Sequence, residues 1–492
     1  MDLFGNGQSI YSFLLHVLLL QLLKRPNLET EPKEPVLTPS GIDDRQYTGA
    51  GVSPLKFRPL RNNLELLTWE GIFAVVFITL TGGPFLAGLA LFLGANDFEI
   101  GLLAAIPFLA QITQLPAAYR IDLTGRCKKF TLWSLIMARE IWWILLPLPF
   151  LRGDWRLNFL IGVFIISSIG ATIGAAGWSS WVADLVPARV RGRYFGFRSA
   201  ATAFAIILAT IFGGTALDHF KSIGHEGSGY SLIIGVSAIF GVLAAFKMNR
   251  LPERKIAPHS IGTKRVYFLE PLREVRFRKL IGIFLVWNLG TGVAAAFFAV
   301  HMLTFLEMSF TQVSFYAVAA LIAAIILNKP WGLAIDRYGS RPVIIICAFG
   351  LSIVPLAWLI PQPGSLWILG IEAIYAGALW TGFNLAAFNL PISLSPAKNR
   401  TIFLATFAVI SGIGFFISSL IGGALAEYWG NFRLLVGPYV LINYHLLFVI
   451  SSAIRLAAAL LMLNIEEPSS KLTPGMFQFF SERYFRRSKQ RG

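Results

Sequence analysis

Residues Asn328–Arg341 read NKPWGLAIDRYGSR, and 214 positions upstream Gln114–Cys127 read QLPAAYRIDLTGRC. In this register Gln114-Leu115-Pro116 stands against Asn328-Lys329-Pro330, Asp122 against Asp336, and Gly125 against Gly339. A second correspondence, offset by 209, sets Leu185-Val186-Pro187-Ala188-Arg189 against Leu394-Ser395-Pro396-Ala397-Lys398. Each of these segments ends a long apolar run and opens a charged loop. The chain is therefore read as two related halves, and everything outward from these loops is tested against that reading.

Apolar runs of about 20 residues, enough for a helix to cross a hydrocarbon core of roughly 30 Å, recur twelve times. In the first half they fall at 67–93, 100–119, 130–151, 157–184, 199–217 and 230–248, and in the second at 280–306, 311–334, 342–361, 367–393, 401–426 and 444–464. The runs are continuously apolar, whereas barrel strands alternate polar and apolar residues over about ten positions, so helices are expected. The fold class is an all-α polytopic membrane protein with twelve transmembrane helices in two pseudo-symmetric six-helix bundles. Parallel repeats of this kind are related by an axis along the membrane normal. Composition agrees, with 55% hydrophobic and only 14% charged residues among 492.

The formal charge of +16 raises nucleic acid as a partner, but the placement of the basic residues points elsewhere. Under this topology 35 Lys and Arg lie in the termini and loops of one face, and the other face carries only Arg152, Arg156, Lys221 and Arg433. Basic loops stay in the cytoplasm, so both termini are expected there, with no nucleic-acid partner. The division is then 1–65, a cytoplasmic N-terminal segment; 66–248, the first half; 249–279, a central loop; 280–464, the second half; and 465–492, a basic tail. Ser9–Leu23 is too short to cross and lacks signal-peptide features, so an interfacial helix followed by a Pro- and Gly-rich tether at 26–55 is expected. Cys127 and Cys347 lie too far apart along this topology to pair.

The loop Gly332-Leu333-Ala334-Ile335-Asp336-Arg337-Tyr338-Gly339-Ser340-Arg341 resembles the Gly-x-x-x-Asp-Arg-x-Gly signature of the major facilitator superfamily. Its first-half counterpart departs from the pattern, with Ala118 for the glycine, Leu123 for the first arginine, and Cys127 within the basic run. Asp184 followed by Arg189-Val190-Arg191-Gly192-Arg193 is similar to the elements found after the fourth helix of that family. The resemblance implies a secondary transporter working by alternating access, and a cytoplasmic gate. Asp122, Gly125, Arg126, Asp184, Gly332, Asp336, Arg337, Gly339 and Arg341 are the gate candidates. Carboxylates near helix N-termini, arginines that pair with them and glycines that permit tight turns suit a latch that forms in one state and breaks in the other. The plain alternative is that these residues only fix topology.

The resemblance also implies that the first, fourth, seventh and tenth helices line a central cavity. Polar residues there give the substrate candidates Thr172 and Trp178 on the fourth span, Asn288 and Thr291 on the seventh, and Trp380 and Asn384 on the tenth. Amides, hydroxyls and indoles suit a polar small-molecule substrate. Serines and threonines also pack helices together and tryptophans mark interfaces, which competes with the functional reading. Ionisable groups at membrane depth are costly. Glu372, on a cavity-lining helix, is the candidate for proton coupling. Arg139, Glu140 and Arg455 are expected in structural pairs or snorkelling to lipid, and His301 as a wetted residue near a helix end.

No Gly-x-x-x-x-Gly-Lys-Ser/Thr loop occurs, so ATP hydrolysis is excluded in favour of gradients. No nucleophile elbow is present, and the shared loop of His219 and His225 is a weak metal signal, so no enzyme, no cofactor and no metal site is expected. The reading is a monomeric secondary active carrier of a small organic solute in a bacterial inner membrane. Its rival is a transporter-like scaffold or receptor that binds a protein, lipid or pigment without translocation; an intramembrane enzyme acting on lipid is weaker still.

Overall fold

The computed structural model describes residues 60–124, 127–186, 188–253, 270–396 and 400–467. The expected interfacial helix and tether, Gly125, Arg126, most of the central loop and nearly all of the basic tail lie outside these residues. In the first half the first span is Leu60–Leu80 with Gly83–Phe92, the second Asp97–Ala110 with Gln114–Thr124, and the third Cys127–Glu140 with 3₁₀ turns to Phe150. The fourth, fifth and sixth are Trp155–Leu185, Ala188–Ser222 and Glu226–Asn249. In the second half the spans are Val275–Ala295 with Phe297–Thr304, Phe310–Tyr338, Ser340–Ala357, Trp367–Leu394, Arg400–Tyr428 and Asn443–Met462.

Eleven of these spans are, among the described residues, single apolar paths long enough to cross a membrane. The second is the exception. It carries Pro107 and Pro116 and is divided by a 3₁₀ turn at Gln111–Thr113, as expected where proline removes a donor and crowds the preceding turn. With it the chain has twelve membrane helices in two bundles.

The repeat extends into backbone geometry. The first span breaks before Gly83, whose φ of +52° is a conformation glycine adopts freely, and Pro84 then restarts the helix. The seventh breaks at Ala296, 214 residues after Gly82. Packing repeats as well. The first span lies against the fifth and sixth as the seventh lies against the eleventh and twelfth, and the third packs on the fourth as the ninth does on the tenth. Two long seams join the halves, second span to eleventh and fifth to eighth, and each maps onto the other when the halves are exchanged; Gly83–Phe92 of the first span also meets Phe297–Thr304 of the seventh.

Small residues let these seams close to backbone contact. Ser419 Oγ donates to the Gly101 carbonyl at 2.9 Å, and Ser314 Oγ to the Thr210 carbonyl at 2.9 Å. Two carboxylates add polar ties. Asp218, near the end of the fifth span, accepts the N–H groups of Phe310 at 2.8 Å and Thr311 at 2.7 Å, the open first turn of the eighth span. Asp97 accepts the Tyr444 hydroxyl at 2.7 Å and the Asn443 amide at 3.2 Å. The described cross-half hydrogen bonds all lie in the part of the spans away from the basic loops.

On that same face an antiparallel hairpin, β1 (Arg433–Val436) and β2 (Tyr439–Ile442), links the eleventh and twelfth spans, with Arg433 opposite Ile442. At the basic face the eighth span ends at Gly339, whose φ of +90° favours glycine, and the ninth begins at Ser340.

Candidate functional site

A cavity of about 760 Å³ opens within the second half, lined chiefly by the seventh, eighth, tenth and eleventh spans, with Phe108 from the first half at its edge. Asn288, Thr291, Glu372, Trp380 and Asn384 all line it. Local folding gives these side chains different availabilities. Asn288 Nδ2 donates to the Phe284 carbonyl at 2.7 Å, and Thr291 Oγ1 to the carbonyls of Trp287 at 3.1 Å and Asn288 at 3.2 Å, so both are largely committed to their own helix. The Asn384 side chain is exposed to the cavity and has no hydrogen-bond partner among the described residues.

Aromatic rings form one wall. Trp287 and Phe383 stack with centroids 4.4 Å apart, and Trp380 meets both edge-on at 6.1 and 5.6 Å. Towards the seam, Phe108 and Phe415 stack across the halves at 3.7 Å.

The acidic group is at the deep end of the cavity. Glu372 is 5% exposed and accepts a hydrogen bond from the Tyr316 hydroxyl at 2.8 Å and another from the Trp358 indole. Arg455 is the nearby cation. It donates to the Leu351 carbonyl at 3.4 Å, stands 6.0 Å from the centre of the Trp380 ring, and keeps its Nε free of partners. The expectation for Arg455 is corrected here, since it is buried and borders the cavity rather than snorkelling to lipid. Rotation of the twelfth span about its own axis decides this, and sequence spacing alone does not supply that rotation.

Two substrate candidates stand apart. Thr172 donates to the Ser168 carbonyl at 2.9 Å on its own helix, and Trp178 takes the Arg198 guanidinium over its ring at 4.9 Å; neither lines this cavity. Arg198 belongs to a buried cluster that the sequence reading missed. Glu70, 2% exposed on the first span, faces Arg139 at 3.5 Å and Arg198 at 3.4 Å. Arg139 is thus in a structural ion pair, one of the two roles expected of it. Glu140 accepts the Trp143 indole N–H at 2.8 Å. Glu70 is findable by the rule applied to Glu372, a charged residue inside an apolar run, since it lies in the first turn of the run at 67–93.

His301 departs from expectation in a different way. It is fully buried rather than wetted, and its Nε2 lies 3.0 Å from Nε2 of His445. Phe305, Trp358 and Phe448 surround it together with Tyr444 and His445 from the first turn of the twelfth span.

The described gate candidates lie on the second, fourth and eighth spans and at the start of the ninth. Asp122 and Asp184 lie on the second and fourth spans, but their side chains are outside the described atoms. Asp336 and Arg337 are exposed, with Arg337 placed over the Tyr338 ring at 5.4 Å. Arg341 donates its backbone N–H to Glu467 at 2.8 Å and its Nη2 to the Leu463 carbonyl at 2.9 Å, both at the end of the twelfth span in the same half. A Cβ at Gly332 would meet nothing within 4 Å, so no steric demand for glycine exists there.

The comparisons with known proteins fall in one family. The sequence profile of the Major Facilitator Superfamily matches residues 71–307 and again 284–490. The minor myo-inositol transporter IolF of Bacillus subtilis is 25% identical over 350 residues, which cover 67% of this chain and 69% of that protein. The crystal structure of the nucleoside transporter NupG matches with a TM-score of 0.61 at 13% identity, covering 82% of this chain and 98% of NupG. That of a D-xylose-proton symporter matches with a TM-score of 0.62 at 15% identity, covering 84% and 100%. Twelve spans in two halves, the repeated loops and the profile matched in each half converge, and the chain belongs to the Major Facilitator Superfamily as a multi-pass membrane transporter.

Proposed function

We propose that the chain is a proton-coupled secondary carrier of a small, polar, uncharged organic solute. It acts as a monomer in a bacterial inner membrane, with its termini and basic loops in the cytoplasm. One observation carries this reading: a cavity at membrane depth holds a free amide, Asn384, an aromatic platform around Trp380, and a buried carboxylate, Glu372. The amide and indole supply directional contacts and the rings supply apolar area, as solute sites require. With the described cross-half ties all on the face away from the basic loops, the cavity is closed from outside, and the state is cytoplasm-facing.

Glu372 and Arg455 divide the coupling. As a carboxylate, Glu372 is held by Tyr316 and Trp358 and balanced by Arg455; once protonated, it leaves the Arg455 charge to the face of Trp380. Solute binding beside Trp380 then senses the protonation state through Arg455. Asp336, Arg337, Gly339 and Arg341, with Asp122, Gly125, Arg126, Asp184 and Gly332, are retained as the cytoplasmic gate of the same cycle.

The test is flux in liposomes. The relatives are named for myo-inositol, nucleosides and xylose, which form the first solute panel. A transported solute alkalinises the external medium with the native chain and fails to do so with Glu372→Gln. Alkalinisation that persists in Glu372→Gln refutes the coupling role, and the absence of flux for every solute class refutes the carrier.

A further inference from the structure

The four ring nitrogens of His301 and His445 can be assigned from their partners. The Ile442 backbone N–H lies 2.9 Å from His445 Nδ1, and a backbone N–H can only donate, so that nitrogen is bare. Neutral His445 therefore carries its hydrogen on Nε2. That hydrogen points to Nε2 of His301 at 3.0 Å. His301 Nε2 must then accept, which puts the His301 hydrogen on Nδ1, a buried atom with no partner. The rings of Phe305, Trp358 and Phe448 enclose the pair, with centroids 5.0, 5.9 and 5.4 Å from His301. Among the described residues no third His, Cys, Asp or Glu completes a metal group here.

A pair wired in this way has no spare lone pair. A proton added to His301 Nε2 sets two N–H groups head to head at the present 3.0 Å. A proton added to His445 Nδ1 sets one against the Ile442 N–H. Either addition breaks a bond that exists in the neutral pair.

The turn that would move is the one that ties the halves. Ile442 is the N-cap of the twelfth span and His445 is its third residue, so the ring itself caps the helix. The two residues between them, Asn443 and Tyr444, hold Asp97 of the other half. The charged groups around the pair are Asp97, reached through Tyr444 and flanked by Glu427, and Glu372, reached through Trp358 and Tyr316 and flanked by Arg455. The carboxylates favour an imidazolium between them, and Arg455 opposes it.

We propose that His301 and His445 form a proton-binding site at the outer seam, and that loading it releases the Asp97 tie and opens the cavity outward. This deepens the proton-coupled reading by adding a second proton site, nearer the outside than Glu372. The sign follows from linkage. The closed state has no place for the extra proton and the open state does, so acid favours opening, by up to about tenfold in the open-to-closed ratio per pH unit for one linked proton.

The experiment measures closure and not flux, so it fails separately from the carrier reading. Spin labels at Ser222→Cys and Tyr428→Cys, exposed outer ends of the fifth and eleventh spans, report the distance between halves in a full-length chain whose Cys127 and Cys347 are replaced. A longer-distance population that grows from about pH 8 to about pH 5 is expected, bracketing an ordinary histidine. His301→Gln and His445→Gln, tested separately, abolish the growth. Glutamine at position 445 still accepts the Ile442 N–H, so the cap survives while the titration is lost. Glu372→Gln retains the growth. A distance distribution indifferent to pH, growth that persists in both histidine variants, or growth that vanishes in Glu372→Gln alone overturns the proposal.

Discussion

Gly101→Ala tests whether the seams between the halves are as tight as their geometry requires. A Cβ at Gly101 would lie 2.7 Å from the Ser419 carbonyl oxygen and 2.9 Å from the Gly423 Cα. Both are backbone atoms of the eleventh span, so no side-chain rotation relieves the overlap and the two helices must separate. Overpacking of this kind costs about 1–3 kcal/mol, and here it falls on the outward-closed state alone. Converted to a population, that is a shift of roughly 5- to 150-fold towards the outward-open arrangement. The separating helices also give up the hydrogen bond from Ser419 to the Gly101 carbonyl. Double spin labels at Ser222→Cys and Tyr428→Cys read the shift at constant pH. Gly282→Ala, where an added Cβ meets nothing within 4 Å, is the control and leaves the distribution unchanged. An unaltered distance distribution in Gly101→Ala would refute the claim that this seam holds the closed state.

Glu70→Gln leaves Arg139 buried without its carboxylate partner, and a loss of about 3 kcal/mol, measured as a lower temperature of thermal aggregation in detergent, is expected. Gly339→Ala forces a side chain into a φ of +90° between the eighth and ninth spans; a loss of about 1 kcal/mol is expected in the same assay. Asn384→Ala removes the free amide of the cavity, and a ligand-induced thermal shift seen with the native chain should fall by about 1 kcal/mol of binding energy, or roughly fivefold in affinity. Tyr316→Phe removes the hydroxyl that steadies Glu372, so the pH at which solute-driven proton uptake is half-maximal should rise; an unchanged pH profile would remove Tyr316 from the coupling scheme.

Architecture was legible because its signals are local. Span length, loop charge and the offset between Asp122 and Asp336 each survive without knowledge of packing. Glu372 drew notice as a carboxylate in an apolar run. What escaped depends on rotation and on cover. Thr172 and Trp178 both stand on the fourth span, but a place on a helix does not give the heading of its side chain, and Arg198 claims Trp178 instead. Arg455 was misplaced for the same reason. His301 was read as wetted because its position near a helix end says nothing about Trp358 and the first turns of the twelfth span, whose Tyr444, His445 and Phe448 pack against it.

The tie made by Asp218 has an asymmetry with consequences for any survey of variation. Its two partners are the backbone N–H groups of Phe310 and Thr311, which nearly every residue type supplies. Substitutions at positions 310 and 311, proline aside, leave the donors in place, whereas any change that removes the carboxylate at 218 takes the acceptor from both N–H groups and leaves that helix end to the Ser309 and Gln312 capping box alone. A cross-half contact of this kind produces no paired exchange of residues. Methods that infer contacts from correlated substitution would pass over it, and a mutational scan would find it from one side alone.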